Sequence, residues 1–267
     1  MENYKSKFEK AVELYKNGMS LTKIEKEVGI ERHKLSREFK KIGLSIVKNN
    51  QKYNYNKDIF KQIDNEEKAY WLGFLYADGY VKKDRGIELT LQQDDYEHLV
   101  KFRKFIGDES VLISYKSDVN AYRMHINSRE IAQDLINLGC VQAKSYILQF
   151  PTEEQVPRHL IHHFMRGYFD GDGCICLSGK QVSFSVIGTP LFLDNYESYL
   201  LNALNRTKAN KRCKRNDWSE NTEYLRYCGE AQTNKIFQFL YKDATIYLDR
   251  KYNKFNMLLP SQDEADK

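Results

Sequence analysis

The chain has 267 residues, with 42 Lys and Arg against 37 Asp and Glu, a hydrophobic fraction of 41% and five cysteines. This length suffices for two domains with real cores. We find no signal peptide and no apolar run long enough for a membrane, and the scattered cysteines show neither zinc spacing nor a disulfide framework. The composition argues against a membrane protein or a disulfide-rich secreted one. We expect an intracellular protein of a cytoplasmic, bacterial, phage or organelle setting.

The N-terminal segment carries the excess positive charge. Residues 1–62 hold 15 Lys and Arg against 8 Asp and Glu, and the remainder holds 27 against 29. Apolar residues at helical spacing predict three short helices with a turn at Gly29 and Ile30. We predict a helix-turn-helix domain over residues 1–44, although a basic helix is more often simply solvated. Its third helix exposes Arg32, His33, Lys34, Arg37, Lys40 and Lys41.

Residues 45–64 are predicted to form a linker, because much of this stretch is rich in Asn, Lys and Tyr.

A nine-residue pattern follows and occurs twice, as WLGFLYADG over 71–79 and MRGYFDGDG over 165–173. Each copy is compatible with a helix that ends at Asp-Gly. Two unrelated amphipathic helices are the alternative to a true repeat.

Small residues four apart lie on one face of each predicted motif helix, namely Gly73 and Ala77 in the first copy and Gly167 and Gly171 in the second. They would let the two backbones pack closely. We expect Gly79 and Gly173 to form left-handed caps. This packing brings Asp78 and Asp172 together at the unfavourable end of the helix dipoles, where a cation would compensate them.

The surroundings of the two motifs repeat as well. The first half predicts strands at 87–92, 111–115 and 121–126, with helices at 94–106 and 128–138. The second half predicts strands at 174–177, 181–187, 208–215 and 223–228, with helices at 190–205 and 230–242. We therefore predict an α+β protein of two pseudo-symmetric αββαββα repeats, over residues 65–152 and 153–260, followed by a tail over 261–267.

The strands also predict one outward face in each half. Cys174 and Cys176, on either side of one residue of a predicted strand, are expected on opposite faces of that strand. An outward face that mixes donors and acceptors suits base reading in a DNA groove, with basic residues on phosphates, although an ordinary solvated sheet is the alternative. The residues assigned to this role are Glu88, Thr90, Lys116, Arg123, His125, Gln181, Ser183, Ser185, Lys211, Arg212, Lys214, Arg215, Tyr224 and Arg226.

The doubled motif resembles the LAGLIDADG signature of homing endonucleases, in the single-chain form with two motifs. Tyr76 and Arg166 depart from that signature, whereas both copies keep the later acid. The resemblance implies a DNA-binding saddle and a monomeric, sequence-specific endonuclease that makes double-strand breaks in DNA, of the kind encoded by mobile introns. It also implies that Asp78 and Asp172, with Gly79 and Gly173 beside them, hold Mg²⁺ or Mn²⁺.

Three further residues are candidates for the catalytic site. Family members use a lysine near each active site, and Lys144 and Lys251 lie in similar segments that end in proline. Each lysine would orient water or stabilise developing charge. Gln92 would position water in the first half. Its counterpart near Ile187 is not polar, so we expect unequal half-sites.

Two other functions stay open at this point. The first is a non-catalytic DNA-binding regulator, against which the two intact acids argue. The second is an RNA maturase that assists intron splicing, against which the helix-turn-helix argues. A regulator would bind DNA without cutting it, and a maturase would prefer intron RNA.

Overall fold

The computed structural model describes residues 4–17, 19–44, 54–82, 85–142, 144–179, 181–207, 212–214 and 221–259. The chain divides into two compact units, Met1–Lys52 and Tyr53–Lys267. Among the helices of these described ranges, none is long and apolar enough to cross a membrane.

In the first unit, the described residues 4–17 and 19–44 form the helices α1 (Tyr4–Lys16), α2 (Leu21–Val28) and α3 (Arg32–Lys41). Gly29 ends α2 with a left-handed φ of 70°, a conformation in which a side chain would be strained, and its N–H bonds the carbonyl of Glu25. The chain turns there into α3. A small core holds the helices together and consists of Ala11, Ile24, Val28, Ile30, Leu35 and Phe39.

The second unit begins its first repeat with helix α4 (Glu66–Ala77). Strands β1 (Gly79–Lys82) and β2 (Gly86–Gln92) follow, then α5 (Tyr96–Phe105), β3 (Ile113–Lys116), β4 (Ala121–Ile126), α6 (Arg129–Asn137) and the short α7 (Lys144–Ile147). The sheet is antiparallel in the order β1-β2-β4-β3. The sequence analysis did not identify β1.

The second repeat has the same order. It comprises α8 (Ile161–Asp172), β5 (Gly173–Ser178), β6 (Gln181–Gly188), α9 (Pro190–Ala203), β7 (Cys213–Lys214), β8 (Glu223–Cys228), α10 (Glu230–Tyr241) and α11 (Asp249–Leu258). Its sheet order is β5-β6-β8-β7. The predicted α+β duplication is therefore confirmed. Of the strand predicted at 208–215, residues 213–214 form β7, and 208–211 and 215 lie outside the described residues.

The two motif helices pack against each other at the centre of one core that both repeats share. A Cβ on Gly73 would lie 2.0 Å from the carbonyl oxygen of Phe164, and one on Gly167 would lie 1.9 Å from that of Tyr70. The backbones of α4 and α8 are thus in direct contact. Residues Ala69 through Tyr76 of α4 are all buried, as expected for a helix surrounded by protein.

Gly79 and Gly173 do not form the left-handed caps that the sequence suggested. Neither has a positive φ, and each begins a strand directly after its helix. A Cβ on Gly79 would lie 2.6 Å from the carbonyl oxygen of Leu75, and one on Gly173 would lie 2.1 Å from the ring of Phe169. Glycine is needed here because the strand folds closely over the last helical turn.

The sixth position of each motif holds its helix to a later segment of the same repeat. The hydroxyl of Tyr76 donates to the carbonyl of Leu138. Its counterpart Asp170 is fully buried and accepts hydrogen bonds from the Tyr70 hydroxyl at 2.7 Å, the Tyr241 hydroxyl at 2.6 Å and the Leu248 N–H at 2.7 Å. Tyr76, where the LAGLIDADG signature has an acid, therefore attaches its helix by donating a hydrogen bond, whereas Asp170 attaches its helix by accepting hydrogen bonds.

The second departure, Arg166, is also accounted for by its contacts. The guanidinium is fully buried and donates to Glu66 at 2.6 Å, to the Ile246 carbonyl at 3.0 Å and to the Leu240 carbonyl at 2.7 Å. It thereby joins the start of α4 to the segment between α10 and α11.

Candidate active site and nucleic-acid interface

Asp78 and Asp172 come together where the ends of the motif helices meet. Asp78 ends α4, and Asp172 is the last residue of α8. A Cβ on Gly171 would lie 3.2 Å from Asp78 Oδ2, so the Asp78 carboxylate lies against the backbone next to Asp172. Desolvation and then the charge of Asp172 raise the pKa of Asp78 to about 6. The ionised Asp78 carboxylate is thus destabilised by lost solvation and by a second acid close to it.

Each helix end is bound by a lysine from a later segment of its own repeat. Lys144 Nζ donates to the carbonyls of Leu75 at 3.0 Å and Ala77 at 2.8 Å, and to that of Gly79. These carbonyls are at the negative end of the helix dipole, so an ammonium stabilises them.

The second repeat reproduces this arrangement. Lys251 Nζ donates to the carbonyls of Phe169 at 2.7 Å, Gly171 at 3.1 Å and Gly173 at 2.6 Å. Burial lowers the pKa of Lys144, and it lowers the pKa of Lys251 to about 8. Both lysines were candidates from the sequence, and the structure brings both to the acid pair.

These contacts correct two sequence-based assignments. An ammonium has three N–H donors, and three carbonyls already use them, so neither lysine has a donor left for water or phosphate. Their contribution is positive charge and the anchoring of the helix ends. The Gly79 and Gly173 carbonyls each accept a hydrogen bond from a lysine ammonium. Because the positive charge of that ammonium repels a metal ion, the groups left to bind a metal are the carboxylates.

The charges couple across the two repeats. Among the acid pair, Asp172 acts more strongly than Asp78 on the pKa of Lys144, and Asp78 acts more strongly than Asp172 on that of Lys251. A cavity of about 190 Å³ is lined by both Lys144 and Asp172, together with Tyr168. Each acid is therefore paired electrostatically with the lysine of the other repeat.

The strand register locates the counterpart of Gln92 in the second repeat. Gly79 pairs with Leu89, and Gly173 pairs with Val186, so the residues three positions further on are Gln92 and Thr189. The expectation that this counterpart is not polar is wrong, because Thr189 is polar. Gln92 is exposed, whereas Thr189 is buried, donates to the Leu148 carbonyl at 2.5 Å and caps α9. The half-sites differ at this position, as expected.

The outward face of the first sheet carries a charged network. Glu88 lies 2.7 Å from Lys82 Nζ, 3.6 Å from Arg123 and 3.7 Å from His125. Burial alone would raise the pKa of Glu88, but the bond to Lys82 and the charge of Arg123 lower it. Thr90 and Lys116 are also partly exposed.

On the second sheet, the expected exposure of Ser183 is wrong, and Arg212 is bound by acidic neighbours. Ser183 is only 1% exposed because Arg226, which is itself exposed, covers it and donates to its hydroxyl at 2.8 Å. Arg212 is bound by Asp194 at 2.7 Å, Glu197 at 3.0 Å and Glu223 at 3.7 Å, which compete with any phosphate. Gln181, Ser185 and Tyr224 keep some exposure. Lys211, Arg215 and the side chain of Lys214 lie outside what is described.

The expected facing of the β5 cysteines is also corrected. Cys174 and Cys176 are two residues apart on a regular strand and therefore share one face.

In the first unit, the assigned residues of α3 are exposed at all six positions, with Lys34 Nζ 4.3 Å from the ring centroid of Tyr4.

His162 and His163, which the sequence suggests are structural rather than metal ligands, lie in a cluster with Asp243, and the ligand atoms of the three residues are within 4.8 Å of one another. His163 Nδ1 lies 2.8 Å from Arg166 Nη1 and must accept, because a guanidinium only donates. Neutral His163 then carries its proton on Nε2, which faces Asp243. The cluster is a hydrogen-bonded network in which this nitrogen has no lone pair for a metal.

No protein-family profile matches the chain, and no curated protein matches it. Its structural neighbours are LAGLIDADG homing endonucleases. I-WcaI bound to its DNA recognition sequence has a TM-score of 0.49 at 13% identity, with 80% of this chain and 97% of the other covered. I-LtrWI bound to target DNA has a TM-score of 0.47 at 13% identity, with 76% and 90% covered.

I-SmaMI, bound to an uncleaved DNA target in the presence of calcium ions, has a TM-score of 0.43 at 13% identity, with 67% and 85% covered. At these TM-scores the similarity is loose.

Proposed function

We propose that the chain is a sequence-specific DNA endonuclease of the LAGLIDADG homing type, which hydrolyses one phosphodiester bond in each strand of a duplex. The observation that carries this proposal is the pairing of Asp78 and Asp172 at the abutting ends of α4 and α8. Desolvation of Asp78 and then the nearby charge of Asp172 raise the pKa of Asp78 to about 6, which costs stability while the acids are ionised, and a reaction that uses them explains that cost.

The acid pair suits Mg²⁺ or Mn²⁺. Carboxylate oxygens are the hard ligands that these ions prefer, and a bound cation would relieve the repulsion between Asp78 and Asp172. When bound, such an ion polarises a phosphoryl oxygen and makes a water more acidic. Asp78 and Asp172 must be ionised to hold it, and Lys144 and Lys251 fix the helix ends that position them.

The remaining parts of the molecule suit double-stranded DNA. The outward faces of the two sheets present polar and charged side chains, among them Thr90, Arg123, His125 and Arg226. The exposed basic residues of α3 would add contacts to phosphates. Because one chain supplies both half-sites, we propose a monomer that acts inside a cell.

The experiment is a selection of bound sites from random duplexes, followed by incubation of the selected DNA with Mg²⁺ or with EDTA. We expect Mg²⁺-dependent cutting of both strands inside the selected site. Tight binding without cutting under any divalent metal would favour the non-catalytic regulator, and preferential binding of intron RNA would favour the maturase.

A further inference from the structure

Four thiols lie on the outward face of the second sheet, namely Cys174 and Cys176 on β5, Cys213 on β7 and Cys228 on β8. Cys174 and Cys176 flank the buried Ile175 on β5, so both side chains leave the same face. The register continues this face from Cys176 to Ser183 on β6 and from Ser183 to Cys228 on β8. Cys174 and Cys228 are exposed and Cys176 is partly exposed. Ions in solution can therefore reach these sulfurs.

Burial and then the neighbouring Cys174 thiol raise the pKa of Cys176, as expected for two thiols on one face of a strand. Cys228 instead contacts the hydroxyl of Ser183 at 3.7 Å. Cys174 and Cys176 therefore form a pair within the group, and Cys228 is a neighbour of that pair.

The spacing suits a shared ion better than a disulfide. Residues two apart on a strand have Cα atoms roughly 6.7 Å apart, at the wide limit for a disulfide, whose sulfurs must approach to about 2.05 Å. Two sulfurs bound at about 2.3 Å to one tetrahedral ion are about 3.8 Å apart. Two cysteine side chains on one face of a strand can reach that separation by side-chain rotation, so an ion can bridge the pair without movement of the strand.

We propose that Cys174 and Cys176 form a two-thiolate site for a soft or borderline divalent cation of the Zn²⁺ and Cd²⁺ class. Binding exchanges two S–H bonds for two metal–sulfur bonds, releases two protons to solvent and leaves the remaining coordination positions to water. Mg²⁺ prefers oxygen ligands and does not compete at this pair. The thiol pair and the acid pair are therefore separate sites for chemically different ions.

Occupation of the thiol pair would affect DNA, a consequence that rests on the proposed function. Cys174 directly follows Gly173, so a bound ion lies immediately beyond the end of α8 on the outward face of the sheet. The ion and its water ligands would occupy space on the surface that faces DNA. We expect Cd²⁺ to weaken DNA binding even when Mg²⁺ is saturating.

The site is tested by titrating Cd²⁺ into the full-length protein and following the thiolate-to-metal charge-transfer absorption. We expect one strongly bound Cd²⁺ in the wild type, and loss of that absorption in both Cys174→Ser and Cys176→Ser. Cys213→Ser is the matched control, because Cys213 is an exposed cysteine on β7 of the same sheet. Full absorption in either variant of the pair, or its loss in Cys213→Ser, would overturn the assignment.

DNA binding is then measured for the wild type and for the double variant Cys174→Ser, Cys176→Ser, with and without Cd²⁺. Weakened binding by the wild type alone supports the inference. Equal weakening of both proteins would refute the role of the thiol pair. If the wild type binds Cd²⁺ but never binds DNA, the proposed function fails while the metal site stands.

Discussion

Replacing Gly167 with alanine has two opposite effects on stability, a gain in helix propensity and a steric clash with α4. In an isolated helix, Gly→Ala is favourable by about 1 kcal/mol. In this structure the new Cβ would lie 1.9 Å from the Tyr70 carbonyl oxygen and 2.9 Å from the Phe74 amide nitrogen. Contacts under 3.0 Å are essentially not observed for Cβ, so α4 and α8 must separate locally by about 1.1 Å.

Overpacking of this kind typically costs about 1–3 kcal/mol, and here rigid backbone atoms form the obstacle. We therefore expect Gly167→Ala to lower the free energy of unfolding by about 2 kcal/mol or more after the helical gain. Urea unfolding followed by far-ultraviolet circular dichroism measures it. The control Asn202→Ala, at an exposed site on α9, should be neutral or slightly stabilising. A Gly167→Ala protein as stable as the wild type would refute direct backbone contact.

Three further predictions concern the acid pair, the lysines and the N-terminal unit. Because the pKa of Asp78 is raised to about 6, cleavage should fall as the pH drops below that value. The stability of the metal-free protein should rise as the pH falls from about 6 towards 3.8, because the folded state then binds the proton more tightly than the unfolded state. Asp78→Asn should remove this rise and stabilise the fold at pH 8, which thermal unfolding in EDTA measures. Lys144→Met and Lys251→Met should change the ratio of the two nicking rates in opposite directions, because each lysine holds the end of one motif helix and only one of the two acids follows that end. This ratio is unaffected by the folded fraction, and a ratio unchanged in both variants would contradict the positioning role of the lysines. Deleting residues 1–52, a compact unit of its own, should weaken DNA binding and reduce its dependence on salt, because basic residues on phosphates release counterions, and an identical slope would exclude that contact.

The sequence predicted the duplicated fold because the motif helices and most strands have clear local patterns. Strand β1 was missed, since its four residues are too few to show an alternating pattern. The caps expected at Gly79 and Gly173 failed for a tertiary reason, namely the direct passage of each helix into a strand.

The acids of the candidate site could be found from sequence, because each motif carries one at the same position. The hydrogen bonds of Lys144 and Lys251 could not, since they depend on where α7 and α11 return to the helix ends. Arg212 was assigned to DNA from its charge alone. Its acidic partners are on α9 and β8, which local sequence around Arg212 does not reveal.

The central claim is that Asp78 and Asp172 each serve one strand of a DNA duplex. The most direct measurement is cleavage of a selected duplex labelled differently on its two strands, by the wild type, Asp78→Asn and Asp172→Asn in Mg²⁺. We expect the wild type to cut both strands. Both variants should show severe loss of double-strand cleavage while they retain DNA binding. Cleavage of both strands at the wild-type rate by either variant would contradict it.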